Sequence, residues 1–316
     1  MSTSLNDTVA EVYREVMIQT EEKSILRKLR KKPLGVFRRM RQYVRRMLCK
    51  HGRETIFGRK KRGAGSEMFN VFQPTDKVFP EVKIAVYTVI TGNYDDIKTH
   101  IYMDDTIDYY LITDAPESKT SAISQEWRKR LNILPVPGHL EGLNNAKKNR
   151  YIKLHPDEIL SEENTGKKYD YTVYLDGSIR ITCDIKPLVY SLIESGKSIA
   201  IHKHPGVDCI YDEAQNCWII GKVKWKDAAE QMKTYRQEGM PEHFGLHETS
   251  IIIRKCNDPE LHSVMNEWWK QIERYSHRDQ LSLSYALWKT GHDISYVFSL
   301  GNKAGKNPYF LMYPHN

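Results

Sequence analysis

Cysteine is scarce in this sequence, and long apolar runs are missing. Five cysteines (Cys49, Cys183, Cys209, Cys217, Cys256) stand among 316 residues, an odd number with no C-x-x-C pair. That excludes a disulfide framework or a zinc ribbon as the organising device and points to reduced thiols in a cytosol. No stretch approaches the ~18 consecutive apolar residues of a membrane-crossing helix. The opening MSTSLNDTVAEVYREV is acidic and polar where a secretory signal is basic and then apolar, so a cytoplasmic protein is expected. With 40% hydrophobic and 28% charged residues, the composition rules out a collagenous, mucin-like or wholly disordered chain. No internal repeat is visible.

What is present is a charge asymmetry. Residues 21–62 hold seventeen Lys/Arg against three Glu, whereas the rest of the chain carries 31 Lys/Arg against 37 Asp/Glu. A basic arm, residues 1–80, is therefore attached to a mildly acidic body, residues 81–316. Within the arm, Val36, Phe37, Met40, Tyr43, Val44, Met47 and Leu48 draw one stripe on a helix over residues 36–50, with arginines on the other faces. Val9, Val12, Tyr13, Val16 and Met17 predict a shorter amphipathic helix, and GRKKRGAGSE (58–67) reads as a basic linker. A basic amphipathic helix suits an anionic membrane surface, at about 1 kcal/mol per Lys/Arg near the bilayer. The same pattern fits a helix packed on its own domain with solvated arginines. Nucleic acid is a weaker partner, since base recognition needs more than charge.

The body alternates strand-like and helix-like stretches. KIAVYTVI (83–90), IDYYLIT (107–113), LNILPV (131–136), YDYTVYLDGSI (169–179), SIAIHK (198–203), TSIIIR (249–254) and ISYVF (294–298) read as strands. Helical patterns cover 144–160, 184–195, 208–221, 226–238, 258–275 and 279–290. This order predicts an α/β body with a mostly parallel central sheet flanked by helices. Ligands gather at the carboxyl ends of strands in such sheets.

Three places there draw attention. TGNYDD (91–96) follows the first strand, with a glycine that permits close backbone approach and Tyr94 to stack on a base; a plain Gly-Asn turn explains it equally. Asp176-Gly177-Ser178 ends an apolar strand, as a turn dipeptide or as a carboxylate that holds a divalent cation against a diphosphate. Lys147, Arg150 and Lys153 share one helical face, either solvated or facing an anion such as a diphosphate.

Together the segments YTVITGNYDD, KKNRYIKLHP, YDYTVYLDGSI, HKHPGVDCIYDEA, GLHETSIIIR and RDQLSLSYAL resemble the glycosyltransferase-like domain of plant turgor-regulation and mucilage-related proteins, over about residues 83–300. The resemblance implies a GT-A-like, Rossmann-like fold and transfer of a sugar from a nucleotide-diphosphate-sugar donor to a saccharide or lipid-linked acceptor, in surface polysaccharide or glycan synthesis. A looser likeness to glycogenin-like and lipopolysaccharide galactosyltransferases distributes roles. Thr88, Thr91, Gly92 and Tyr94 would cradle the nucleoside, and Lys147, Arg150 and Lys153 would face the phosphates. Asp176, with Gly177 and Ser178, would hold a divalent cation, Mn²⁺ or Mg²⁺. The usual Asp-x-Asp is here Asp-Gly-Ser, so the second carboxylate is missing and cationic side chains could take over the metal's part. His202, His204 and Gln280 are expected at the phosphates or the acceptor.

Sugar transfer also calls for carboxylates near the anomeric carbon, one serving as base in an inverting enzyme. Asp279 and Glu248 are the expected pair, although Asp279 could equally be a helix cap. Trp218, Trp225, Trp268, Trp269 and Trp288 fit either a sugar platform or the core, and Lys303, Lys306 and His315 are candidates to fold over the donor. The rival expectations are an inactive saccharide- or nucleotide-binding module of the same fold and a polyanion-binding protein acting through the arm.

Overall fold

The computed structural model describes residues 72–121 and 123–313, together with Gln42. The predicted arm helices (apart from Gln42, which is helical), the linker 58–67, Cys49 and His315 lie outside the described residues. Residues 72–79 lie against the body. Phe72 meets Phe298 edge-on, Phe79 tilts onto Tyr190, and the Thr75 amide donates to Ser191 Oγ at 2.8 Å.

Nine strands are described: β1 (Ile84–Ile90), β2 (Ile107–Thr113), β3 (Leu131–Pro135), β4 (Tyr171–Leu175), β5 (Ile179–Ile181), β6 (Ile199–Lys203), β7 (His247–Lys255), β8 (Phe298–Asn302) and β9 (Phe310–Met312). Among the helices, those of seven residues or more are α1 (Asn145–Leu154), α2 (Lys186–Glu194), α3 (Ile210–Ile219), α4 (Trp225–Gln237), α5 (Pro259–Arg274) and α6 (Leu283–Lys289). The main sheet has seven strands in the order β3-β2-β1-β4-β7-β6-β8, and β5 pairs with β9 apart from it. All neighbours in the main sheet are parallel except β7, which runs antiparallel to both β4 and β6. The expected α/β class and mostly parallel central sheet flanked by helices are the architecture observed.

Between its edge strands β3 and β8 the sheet is buried on both faces, which is why the inner strands read as nearly unbroken apolar runs. Period-two alternation sends Tyr87, Val89 and Ile252 to one layer with Trp268, Val264 and Leu283. The opposite layer takes Ile84, Val86, Ile251 and Ile253 with Leu188, Leu192 and Phe310.

Three predicted elements differ. The helix expected over 144–160 stops at Leu154, because His155 precedes Pro156 and is pushed out of helical geometry, to φ −118° and ψ 53°. The helix expected over 279–290 divides into a 3-10 turn, Asp279–Leu281, and α6, with Ser282 between them at φ −130°. The strand expected at 294–298 is a 3-10 turn, Ile294–Tyr296, whose first turn is capped by Asp293 on the Ser295 amide, and β8 follows it. Among the described residues, no helix is long and apolar enough to cross a membrane.

Candidate active site

Strand direction decides which side chains meet. β1, β4 and β6 deliver their carboxyl ends to one edge of the sheet, and the reversed β7 delivers its beginning to the same edge. There the Asp176 amide donates to the Ser250 carbonyl at 3.0 Å, and His202 pairs with Glu248 across the β6–β7 ladder.

The loop after β1 is built for close approach. Gly92 has φ +62°, its amide donates to Asp114 Oδ1 at 2.8 Å, and a Cβ added there would fall 1.9 Å from Asn145 Nδ2. Thr91 Oγ1 donates to the Asn145 carbonyl at 2.8 Å, fastening this loop to the start of α1. Tyr94 is 72% exposed at the same edge. Gly177 brings the β4 turn against it: a Cβ there would meet Ile90 at 3.2 Å and Asp95 at 3.5 Å. Thr88 lies inside β1, opposite Leu111 and Leu175, rather than in the loop.

α1 supplies the cations. Asn144 caps it by accepting the Lys147 amide at 3.0 Å, and the i, i+3 spacing then turns Arg150 and Lys153 toward the sheet edge. Lys153, with 1% of its side chain exposed, places Nζ 2.5 Å from Asp279 Oδ2 and 3.7 Å from Asp176 Oδ1. Arg150 Nε lies 3.4 Å from Asp279 Oδ1. Lys147, one turn earlier, reaches away to the Glu273 carbonyl at 2.6 Å. Two of the three expected cations therefore converge, and the third caps the end of α5.

Asp279 is the centre of this cluster. It also accepts from Thr249 Oγ1 at 3.1 Å and from the Gln280 amide at 3.1 Å, while its carbonyl accepts Trp268 Nε1–H at 2.8 Å. Burial opposes its ionisation, but the charges of Arg150, Lys153 and Arg278 outweigh burial and hold the carboxyl well below the usual carboxylate range. Asp176, 29% exposed, accepts from Tyr174 OH at 2.8 Å, and the Tyr174 phenol is pushed well above its ordinary value by burial and by Asp176. Gln280 Oε1 accepts from Arg278 Nη2 at 3.3 Å.

Other expected residues stand apart from this centre. Glu248 Oε2 accepts the Ala304 amide at 2.8 Å, and no hydrogen bond or ion pair among the described residues joins Glu248 to Asp279. His202 Nε2 accepts from Asn307 Nδ2 at 2.9 Å; burial lowers its pKa to about 3. His204 accepts the Val207 amide at 3.1 Å on Nδ1, and its Nε2 lies 3.9 Å from Glu213. Trp268 is core; Trp218 and Trp225 form a T-shaped pair at 4.8 Å on the side of α3 and α4. Lys303 and Lys306 sit in the turn between β8 and β9.

Sequence reasoning missed Tyr174, Thr249, Ser250 and Arg278. Arg278 stands directly before the Asp-Gln pair, a signal that was available; Tyr174 and Thr249 are hidden in apolar strands. Several buried polar atoms at this edge have no hydrogen-bond partner among the described residues: Arg150 Nε, His202 Nδ1, His247 Nδ1, Ser250 Oγ and Arg278 Nε. Such orphans are costly in a dry interior; Arg150 Nε at least faces the Asp279 carboxylate, and Gln231 Oε1 and Arg254 Nε share the same state away from this edge. Two clefts of about 180 and 190 Å³ lie beside Asn257 and Arg254 at the opposite edge, away from this chemistry.

Residues 166–315 match the family model described as TOD1/MUCI70, glycosyltransferase-like domain. No curated protein matches the chain by sequence. Among solved structures, a galactosyltransferase, LgtC, in complex with donor and acceptor sugar analogues is similar at 11% identity and TM-score 0.41, covering 68% of this chain and 72% of that one. Mouse xyloside xylosyltransferase 1 is similar at 11% identity and TM-score 0.40, covering 69% and 85%. The glycosyltransferase GlyE of Streptococcus pneumoniae TIGR4 is similar at 12% identity and TM-score 0.42, covering 75% and 55%.

Proposed function

Taking residues 166–315 as a TOD1/MUCI70 glycosyltransferase-like domain, we propose that the chain transfers a sugar from a nucleotide-diphosphate donor to a saccharide or lipid-linked acceptor. The observation that carries this reading is the convergence of Arg150, Lys153, Asp176 and Asp279 at the carboxyl edge of the sheet. Tyr94 stacks on the base, from a loop that Gly92 lets pack against Asn145 and that Gly177 lets the β4 turn approach. Arg150 meets the diphosphate, being the more exposed of the two converged cations at 18%. In the reaction the bond from the anomeric carbon to the diphosphate oxygen breaks, and its electron pair leaves on that oxygen. The acceptor oxygen bonds to the anomeric carbon, and its proton is lost to the departing phosphate or to water.

Asp279, buried and already paired through both oxygens, is suited to contribute its charge toward positive charge developing at the anomeric carbon rather than to accept hydrogen bonds from the sugar. It is poorly suited to take a proton, because three cations hold it ionised. Gln280 is left to meet the sugar. Glu248, His202 and His204 line the neighbouring end of β6 and β7, toward the acceptor.

The divalent cation implied by the resemblance would bind Asp176. Among the described residues no three His, Cys, Asp or Glu are grouped to hold a metal. Asp176 Oδ1 already accepts from Tyr174 OH and faces the Lys153 ammonium, which would repel a second cation. The described residues therefore do not fit Mn²⁺ or Mg²⁺ there, and no step above uses one.

The basic segment 36–50 would hold this cytoplasmic enzyme on the anionic inner face of a membrane, where lipid-linked acceptors reside; its composition is the support. A second reading, donor binding without transfer, is favoured by the full pairing of Asp279. Thermal unfolding of the full chain with a panel of nucleoside diphosphates and sugar nucleotides, followed by assay of labelled-sugar release and transfer, tests both. A ligand at about 100 times its Kd adds about 2.7 kcal/mol. One stabilising sugar nucleotide that is turned over supports transfer, and stabilisation without turnover supports the binding module. No stabilisation by any of them removes both and leaves polyanion binding by the arm.

A further inference from the structure

Lys153 occupies the space between the two carboxylates of the site. Its side chain is buried, its Nζ faces Asp279 and Asp176 at 2.5 and 3.7 Å, and it lies 4.6 Å from the centroid of the Tyr174 ring. Its main chain is fixed as well. The Lys153 carbonyl accepts from Tyr87 OH and from Arg254 Nη2, each at 2.7 Å, and Arg254 is itself buried and has no carboxylate partner among the described residues. A long flexible side chain is thus held at both ends, which a lysine required only to be solvated would not need.

We propose that Lys153 is the resident cation of the Asp176–Asp279 pair, a positioning residue that replaces a divalent ion and holds both carboxylates in register for the donor. Three observations lead there. The position where a second metal carboxylate would stand is Ser178, whose side chain is buried. The ammonium lies within ion-pair distance of one oxygen from each carboxylate, so a divalent ion shared by the pair would have to displace it. Finally, Arg150, Lys153 and Arg278 set three positive charges around Asp279 and Asp176, with the Asp95 carboxylate beside Gly177, so the carboxylates are charge-compensated before any metal is added.

The role in donor binding rests on the glycosyltransferase reading; the identity of the resident cation does not. Mn²⁺ alone, titrated into the full chain and followed by its electron paramagnetic resonance signal, tests the second point without any donor. Wild type and Lys153→Arg, which keeps the charge, are expected to leave Mn²⁺ free. Lys153→Met is expected to gain Mn²⁺ affinity by at least about tenfold, and Lys153→Met/Asp176→Asn to lose that gain. Uptake by wild type that disappears in Asp176→Asn would overturn the proposal, as would a folded Lys153→Met that gains nothing. Should Lys153→Met not fold, wild type decides: equal stabilisation by a sugar nucleotide in EDTA and in Mn²⁺ supports the proposal, and stabilisation only in Mn²⁺ overturns it. If no sugar nucleotide binds at all, the transferase reading fails while the Mn²⁺ comparison of wild type with Asp176→Asn still stands.

Discussion

Lys153 Nζ lies 2.5 Å from Asp279 Oδ2, and the two side chains are 1% and 3% exposed. A buried pair of this kind is costly to break from one side, because the remaining charge is left without its counter-charge. Lys153→Met and Asp279→Asn are each expected to lower unfolding free energy by about 3–5 kcal/mol. The double variant should cost less than the two together by at least about 1 kcal/mol. Urea unfolding of the four proteins checks this, and strict additivity would show that the pair is not coupled.

The turn at Gly92 gives a second expectation. An added Cβ would meet Asn145 Nδ2 at 1.9 Å, and φ +62° disfavours any side chain. Gly92→Ala should destabilise the fold by about 1–3 kcal/mol and weaken nucleotide binding. Gly92→Ala/Asn145→Ala removes the Nδ2 and Cγ collisions but keeps a tight Cβ contact at 3.1 Å and the backbone strain, so partial recovery of the melting temperature is expected. Full recovery would place the whole cost in the contact.

Three buried histidines set a pH dependence. His100, His202 and His247 each have a pKa lowered to about 3, by burial first and, for His100 and His247, by the nearby cations Arg180 and Lys203. Below about pH 6.5 the unfolded chain takes up protons that the folded chain refuses, so stability rises with pH in this window. It is fully present above about pH 6.5 and is lost, at about 1 kcal/mol per pH unit for each histidine, as pH falls toward 3. His202→Gln should flatten the fall in melting temperature between pH 6 and 4. An unchanged slope would mean that His202 is protonated in the fold.

Tyr94 separates binding from stability. Being 72% exposed, it contributes little to the core. Tyr94→Ala should leave the melting temperature of the free protein within about 2 °C and weaken nucleotide binding by about 1–3 kcal/mol if the ring carries a base. Tyr94→Phe should retain binding. Titration of both variants with the stabilising nucleotide distinguishes a stacking ring from a bystander.

Much of this was legible in the chain. Residues 84–90 and 171–175 announce themselves as strands because both faces of the sheet are covered there and their side chains are almost all apolar or β-favouring. Arg150 and Lys153 are readable as neighbours from spacing alone. Lys147 is not, since the same spacing carries it one turn further, to Glu273. The meeting of Lys153 with Asp279 spans 126 positions, and no local pattern encodes it. TSIIIR is evidently a strand, but an apolar run has no direction, so the reversal of β7 and the arrival of Thr249 and Ser250 at the site could not be read. β5 and β9, of three residues each, are too short to show a period.

That reversal of β7 also decides where this protein can change cheaply. In the parallel strands, the chain leaving the strand opens on the site. For β7 it is the chain entering, residues 238–246, where the Leu246 carbonyl accepts the His204 amide at 2.9 Å. Drift or insertion at the exposed residues 241–243 of that segment, rather than at buried Met240 and Leu246 or at Gly245, where a Cβ would meet Ile294 at 2.5 Å, would reshape the mouth of the candidate site. The same change just after β7, where the Asn257 amide rests on Asp157, would fall on the far edge and leave the chemistry as it was. One strand laid the other way thus assigns the capacity to diversify to a stretch that chain order alone would have passed over.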